Sequence, residues 1–179
     1  MHEYVGGQPL IRLSFQGHTA YALFMKVTVV SVGRVRQGFI REGEGEYLQR
    51  LKASFPVELC ELGLEAPESM SADEVREREA VETLKRVKGY DYLIVLDERG
   101  KSISSLEFSK LIGGRMNAGT RSLCFVIGGA FGFSEKVRQE ADYILSLSAL
   151  TLPHQLTRLV LIEQIYRAHT ILRGVRYHK

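Results

Sequence analysis

The chain has 179 residues and a formal net charge of +3, with 45% hydrophobic and 25% charged residues. These values are typical of one globular domain with its own hydrophobic core, and they exclude a small fold that depends on disulfide bonds. No apolar run reaches the roughly 20 residues that a membrane-spanning helix requires, so no membrane anchor is expected.

Residues 1–24 differ in character from the rest of the chain. His2 and Glu3 stand where an export signal would carry basic residues, and the segment has no clean apolar core. A strong strand pattern begins only at Met25, in the run MKVTVVSVG. We therefore expect residues 1–24 to be a leader or a non-native extension, and residues 25–179 to form a single domain.

Short runs rich in Val, Ile and Leu recur from Met25 onward, as they do in the buried strands of parallel sheets. They cover residues 26–32, 57–62, 92–97, 123–128 and 143–147. The two cysteines, Cys60 and Cys124, lie in these runs without metal-ligand spacing. Both are predicted to be buried free thiols, which favours a reducing cytosol.

Helical patterns fall between the predicted strands. One covers about 38–55, and capping boxes at Ser71 and Ser104 begin two more helices. The last helix is predicted from Pro153 to about Arg173, before a glycine that would stop it. This alternation predicts an α/β fold with a mostly parallel sheet flanked by helices.

The last helix has an apolar arc wider than a surface stripe. Leu156, Leu159 and Ile165 line one face, and Leu161 and Tyr166 widen it. A helix that is apolar on so much of its circumference is expected to be buried on two sides. We expect it to pack against its own sheet on one side and against a second subunit on the other.

Basic residues are concentrated near the C-terminus. Residues 151–179 hold five basic residues and one acidic residue, whereas residues 25–150 hold 18 basic and 19 acidic residues. A local positive field suits a polyanion such as RNA, because contacts to phosphates release counterions. The alternative is a solvated helix face with ordinary arginines.

Ligands of open α/β sheets bind beyond the carboxyl ends of the strands, which directs attention to three loops. The first, LDERGK from Leu96, has the composition of a polar turn. The second, IGGAFGFS from Ile127, has three glycines within five residues and a serine that can begin a helix. It matches neither the dinucleotide fingerprint nor a phosphate-binding P-loop, and a generic glycine turn stays open as an alternative.

The third loop, SLSALTLP from Ser146, alternates small hydroxyl side chains with leucines before Pro153. Short side chains leave backbone N–H and C=O groups open to the edge of a purine, while leucines can cover its ring. Alternatively, the leucines belong to the core and the hydroxyls cap the following helix.

Taken together, LDERGK, FVIGGAFGFS and LSLSALTLPHQLTRLVLIEQIYRAHTILRGVRYHK resemble, in order and spacing, the SPOUT-class methyltransferases that modify N3 of a pseudouridine in 23S ribosomal RNA. The resemblance runs from Met25 to Lys179. It implies a C-terminal trefoil knot, S-adenosylmethionine as cofactor and an obligate homodimer with each site near the subunit boundary. It also implies a cytoplasmic enzyme that acts on the large subunit or the assembled ribosome, with no metal.

The resemblance also assigns cofactor contacts to positions in all three loops. They are Leu96, Gly128, Gly129, Leu147, Ser148, Ala149, Leu150, Thr151 and Leu152.

The chemistry requires removal of the N3 proton of the base and alignment for in-line attack. The catalytic candidates are His154, Arg158, Tyr177 and His178, and the RNA-binding candidates are Arg158, Arg176 and Lys179. Other interpretations stay open: His154 caps its helix, Arg158 pairs with an acidic neighbour, and the tail is disordered until RNA binds.

Two further hypotheses come from other classes. The first is a non-catalytic ribosome- or RNA-binding knotted protein, against which the glycine loop argues because a pure binder needs no cofactor cradle. The second is an α/β protein that binds another nucleotide, which the missing phosphate-binding motifs disfavour.

Overall fold

The computed structural model describes residues 4–5, 8–15, 18–23, 25–52, 55–64, 67, 69–175 and 177, with side chains from Met25 onward. The strands are β1 Tyr4–Val5, β2 Gln8–Phe15, β3 His18–Leu23, β4 Lys26–Val32, β5 Val57–Leu62, β6 Tyr92–Ser102, β7 Ser122–Ile127 and β8 Tyr143–Ser146. The helices are α1 Gly38–Leu51, α2 Ala72–Val87, α3 Ser105–Asn117, α4 Glu135–Gln139 and α5 His154–Leu172.

Strands β4 to β8 form one parallel sheet in the order β5-β4-β7-β6-β8. Because all five strands run in the same direction, their carboxyl ends meet at one edge. Strands β1 to β3 form a separate antiparallel sheet of three strands. The predicted parallel α/β architecture is therefore confirmed, while the assignment of residues 1–24 to a leader stays a prediction.

Helices cover both faces of the five-stranded sheet, as the alternation of side chains along β7 shows. Phe125 and Ile127 point into a core formed with α1, α3 and α5, which includes Ile112 and Leu161. Val126 points to the other face, into a smaller core with α2 and α4. Strands buried on both faces need apolar residues at successive positions, which is why their sequences read as continuous runs.

The predicted helix starts are confirmed at both capping boxes. The Ser71 hydroxyl accepts a hydrogen bond from the Glu74 amide, and the Glu74 carboxylate accepts one from the Ser71 amide. Ser104 and Glu107 repeat this arrangement at α3. Helix α5 ends where expected, with Gly174 at a φ of 66°, which favours glycine.

The prediction that β6 ends at Asp97 is wrong, because this strand continues through Ser102. Leu145 of β8 is the register partner of Leu96 and again of Lys101, so β6 meets the same part of β8 twice. At the second meeting an ideal Cβ on Gly100 would lie 2.7 Å from backbone atoms of Ile144. This crossing and the parallel sheet agree with the knotted α/β fold that the resemblance implies.

Both cysteines are free thiols, but their burial differs from the prediction. Cys124 is fully buried in β7, as expected, and burial raises the pKa of its thiol to about 12. Cys60 is only half-buried, because it lies on the edge strand β5. Among the helices of the described chain, none is long and apolar enough to cross a membrane.

Candidate active site

Residues 96–99 of β6 and the carboxyl ends of β7 and β8 border a cleft of about 1010 Å³. All three loops singled out in the sequence contribute to its lining, together with residues of α2 and the first turn of α5. Of the predicted cofactor-binding residues, those that line the cleft are Leu96, Gly128, Gly129, Leu147, Ser148, Leu150, Thr151 and Leu152. Ala149 is exposed and does not line it.

The glycine loop after β7 forms one wall of this cleft, and its backbone packs closely against neighbouring side chains. An ideal Cβ on Gly128 would lie 3.1 Å from the ring of Phe133, which is itself buried. Gly132 has a φ of 71°, in the left-handed region that favours glycine. Larger side chains would push the loop into the space that it borders.

Glu79 of α2 supports this loop from behind, a contact that sequence reasoning missed. Its carboxylate accepts a hydrogen bond from the Gly129 amide, and an ideal Cβ on Gly129 would lie 2.5 Å from Glu79 Oε1. Burial raises the pKa of Glu79, while the bond from Gly129 opposes that shift. A glutamate on an otherwise charged helix gives no local signal that it will be covered by a loop.

Ser134 is the N-cap residue of α4, as its sequence predicts, but its side chain does not cap the helix. The hydroxyl oxygen is buried in the cleft lining without a hydrogen-bond partner in the described part of the chain. Buried hydroxyls normally have partners, so this one is an exception within the described part of the chain.

The loop after β8 uses its serines to fix its own turn. The Ser146 hydroxyl donates to the Ser148 carbonyl at 3.0 Å, and the Ser148 hydroxyl accepts from the Leu150 amide at 2.9 Å. Leu150 is left 77% exposed at the rim of the cleft. The alternating hydroxyls therefore shape the loop, and the leucines are free to contact a flat ligand.

An ion pair that the sequence did not predict joins β6 and α4. Arg138 Nε lies 2.9 Å from Asp97 Oδ2, with both side chains largely buried and both residues in the cleft lining. The Asp97 carboxylate also accepts a hydrogen bond from the Arg99 amide. The pair fixes the middle of β6 against α4, so the two walls keep a defined spacing.

His154 lines one end of the cleft, at the first position of α5. Its side chain does not cap the helix, whose N-cap residue is Pro153. An ideal Cβ on Gly33 would lie 3.5 Å from His154 Nε2, so the loop after β4 borders the imidazole. His154 is the one imidazole among the described residues of the lining.

Arg158 lies elsewhere, one turn further along α5. Its side chain is 3% exposed and forms ion pairs with Glu44 and Glu61, and it does not line the cleft. The structure thus gives Arg158 the acidic partners that the sequence left open as an alternative. The role of Arg158 in catalysis and in RNA binding stays a prediction.

Tyr177 packs on the outer side of α5 and does not line the cleft of its own chain. Its ring meets Tyr166 edge-on at 4.9 Å, and its hydroxyl donates to Glu163 at 3.4 Å. Burial raises the pKa of Tyr177 to about 12, so the phenol is neutral at physiological pH. Three other predicted tail residues, Arg176, His178 and Lys179, lie outside the described residues.

Comparison with known proteins decides the family. A family model described as a predicted SPOUT methyltransferase matches residues 25–178. The chain belongs to the SPOUT methyltransferase family. The trefoil-knotted α/β fold implied by the resemblance is the fold of this family, and the cleft lies where its three loops meet.

Individual relatives agree with this membership. Proteins called ribosomal RNA large subunit methyltransferase H are 40% identical over 154 residues in Syntrophotalea carbinolica and 41% identical over 159 residues in Carboxydothermus hydrogenoformans. The matches cover 86% and 87% of this chain and 99% and 100% of the relatives. A solved structure of a probable methyltransferase from Bordetella pertussis Tohama I shares the fold, with a TM-score of 0.50, 13% identity and coverage of 81% of this chain and 96% of that one.

Membership makes this chain an enzyme that uses a methyl donor, and it favours the catalytic interpretation over a non-catalytic RNA-binding protein. Within the described residues, no group of three or more His, Cys, Asp or Glu side chains is placed to hold a metal ion. The cleft also fits a nucleoside-type donor: it has apolar leucine walls and a glycine wall without side chains.

Proposed function

We propose that this enzyme transfers a methyl group from S-adenosylmethionine to N3 of a pseudouridine in 23S ribosomal RNA. The observation that carries the proposal is the convergence of three loops on one cleft, in a chain about 40% identical to proteins named for methylation of large-subunit ribosomal RNA. The substrate is the large subunit or the assembled ribosome, because a chain of 179 residues has little surface for recognising free RNA.

S-adenosylmethionine supplies an electrophilic methyl group on a sulfonium centre. The loop at 147–152 would hold its adenosine part, since Leu147, Leu150 and Leu152 line the cleft. The wall formed by Gly128 and Gly129 allows the backbone to approach the donor closely. The Asp97–Arg138 pair keeps the spacing between the loops, so the donor is bound in one orientation.

The nucleophile is the N3 nitrogen after loss of its imide proton. His154 stands at the end of the cleft and can accept a proton, since a neutral imidazole has one free ring nitrogen. Proton removal and alignment are the two tasks that this chain's residues perform. Arg158 contributes indirectly, by holding α5 and therefore His154 in place.

The active form is a homodimer in which the tail of one chain completes the cleft of the other. Support comes from Tyr177, which lies outside the cleft of its own chain although its neighbour His178 is a catalytic candidate. The neutral Tyr177 hydroxyl already donates its one proton to Glu163, so a base oxygen would have to take the place of that partner. We expect His178→Ala to slow methyl transfer while cofactor affinity is unchanged. Single-turnover rates on ribosomes measure this, and an unchanged rate removes His178 from the mechanism.

Mass mapping of 23S ribosomal RNA from cells lacking this protein tests the function. One methyl group on one pseudouridine should be missing, and expression of the wild-type chain should restore it. A Gly128→Val variant should not restore it. An unchanged methylation map would refute the proposed function.

Thermal unfolding tests the cofactor separately. S-adenosylmethionine should raise the melting temperature, because a ligand that binds the native state stabilises it, whereas ATP and NAD should not. Stabilisation by ATP or NAD alone would favour the other-nucleotide hypothesis.

A further inference from the structure

The segment 33–41 between β4 and the second turn of α1 reads GRVRQGFIR and contains three arginines and no acidic residue. This concentration of positive charge was not among the candidates from the sequence, which placed the basic surface at the C-terminus. Arg176 and Lys179 lie outside the described residues, so that prediction stays untested for them. Of the C-terminal arginines, Arg158 is buried in ion pairs and Arg167 is paired with Glu163 at 2.6 Å.

The segment is fixed against the mouth of the cleft. Gln155, in the first turn of α5, accepts hydrogen bonds from the Arg36 amide at 2.9 Å and the Gln37 amide at 3.3 Å. Gly33 borders the imidazole of His154, which lines the cleft. The backbone of this segment therefore runs beside His154 at one end of the cleft, and the Arg34 guanidinium lies next to Gly63, where an ideal Cβ would be 3.0 Å from Arg34 Nε.

Two of the three arginines keep their charge in solvent. Arg34 and Arg36 are exposed, and neither has an ion pair with the other residues that the structure describes. Arg41 differs, because its guanidinium donates two hydrogen bonds to the Val35 carbonyl, at 3.0 and 2.6 Å, and so stabilises the conformation of the segment. Unpaired arginines on a fixed backbone are suited to phosphate, because their N–H groups bind its oxygens in pairs.

An aromatic side chain accompanies these charges. Phe39, at the start of α1, is 63% exposed, whereas phenylalanine is among the most often buried residues of folded proteins. Exposed aromatic rings interleaved with basic residues are the pattern of surfaces that stack on unpaired bases while they follow a phosphate backbone.

We propose that Arg34, Arg36 and Phe39 form the RNA-contact surface of this enzyme, with both arginines on phosphates next to the target nucleotide and Phe39 on a neighbouring unpaired base. This inference rests on the proposed function, since it names the part of the chain that holds the RNA substrate. It places RNA recognition at the carboxyl end of β4, beside the cleft, and not on α5.

The test compares methyl transfer to ribosomal large subunits over a range of salt concentrations. In an Arg34→Gln/Arg36→Gln variant, kcat/KM should fall about tenfold or more, and the slope of log kcat/KM against log salt should become shallower by about 2. Phe39→Ala should lower kcat/KM by roughly tenfold and leave the slope unchanged. S-adenosylmethionine affinity, measured by calorimetry, should be unchanged in both variants.

Matched controls lie on α2. Lys88→Gln removes an exposed charge at the opposite edge of the sheet, and Val81→Ala shortens an apolar side chain that is 51% exposed. Both variants should have the wild-type kcat/KM and the wild-type salt slope.

Each result decides the inference. Equal kcat/KM and equal salt slopes in wild type and the double arginine variant would overturn it. A lower kcat/KM with an unchanged slope would also overturn it, because the arginines would then contact something other than phosphate, such as a ribosomal protein. A wild-type chain that methylates no ribosomal RNA would instead refute the proposed function itself.

Discussion

Arg158 and Glu44 form a bidentate ion pair between α5 and α1, with Nε–Oε1 and Nη2–Oε2 distances of 2.5 and 2.7 Å. The remaining nitrogen of the guanidinium donates to Ser31 at 3.2 Å and to Glu61 at 2.7 Å. Burial acts to lower the pKa of Arg158, but the hydrogen bonds that it donates to Glu44 and Glu61 raise the pKa overall. One side chain thus connects two helices and two strands beneath the loop that borders His154.

Loss of this buried charge should destabilise the fold. We expect Arg158→Met to lower the free energy of unfolding by about 3 to 5 kcal/mol, because Glu44 would be left as an unpaired buried charge. The double variant Arg158→Met/Glu44→Met should lose less unfolding free energy than Arg158→Met alone. Guanidinium denaturation measures both. An Arg158→Met protein with wild-type stability and no methyl transfer would show instead that Arg158 acts in catalysis.

Gly128 tests the cofactor site. A valine there would press on the buried ring of Phe133, whose nearest atoms lie 3.1 Å from an ideal Cβ, and displace the loop into the cleft. We expect Gly128→Val to abolish S-adenosylmethionine binding in calorimetry. Gly114→Ala, at an exposed position of α3 with no atom within 4 Å of the new Cβ, should bind normally. Normal affinity in the valine variant would refute the assignment of this loop.

Glu79 should act on cofactor affinity through Gly129. In Glu79→Gln the amide oxygen can still accept the Gly129 N–H, so affinity should be close to that of wild type. Glu79→Ala removes the acceptor and should weaken binding by about two- to tenfold, as expected for a net hydrogen bond of about 0.5 to 1.5 kcal/mol. Titration calorimetry separates the two variants. Equal affinities in wild type and Glu79→Ala would mean that the loop keeps its shape without this support.

His169 makes stability depend on pH. It stacks on Phe55 with ring centroids 5.5 Å apart, and burial lowers its pKa to about 4. The unfolded chain, with a histidine pKa of about 6.5, therefore binds a proton first as the pH falls. The contribution of His169 to the free energy of unfolding is present above pH 6.5 and declines towards pH 4. At pH 5 the loss is about 2 kcal/mol.

Urea denaturation at pH 7.5 and pH 5, at a fixed protein concentration, measures this change. His169→Phe keeps an aromatic ring against Phe55 and removes the titration, so its stability should vary less over the same interval. Equal pH dependence in both proteins would assign the effect to other groups.

Features that depend on neighbouring residues were predicted well from the sequence. The capping boxes at Ser71 and Ser104 and the stop at Gly174 need only a few adjacent positions, and the strands need only their apolar runs. The convergence of the three loops follows from strand direction, since all parallel strands end at one edge.

Features that depend on distant partners were not predictable in the same way. Arg158 meets Glu44 across 114 positions, and Arg138 meets Asp97 across 41, so no local pattern could select these partners among the other acidic residues. The extension of β6 was missed because polar residues there pair with β8 at the sheet edge without an apolar run.

The crossing at Gly100 joins β6 to β8 at close range. Main-chain atoms of β8 lie so close to this glycine that the two segments cannot slide or part without breaking the sheet. The β6–β8 crossing is therefore a rigid part of the frame beside the cleft, whereas Phe131 and Leu150 in the cleft lining are exposed.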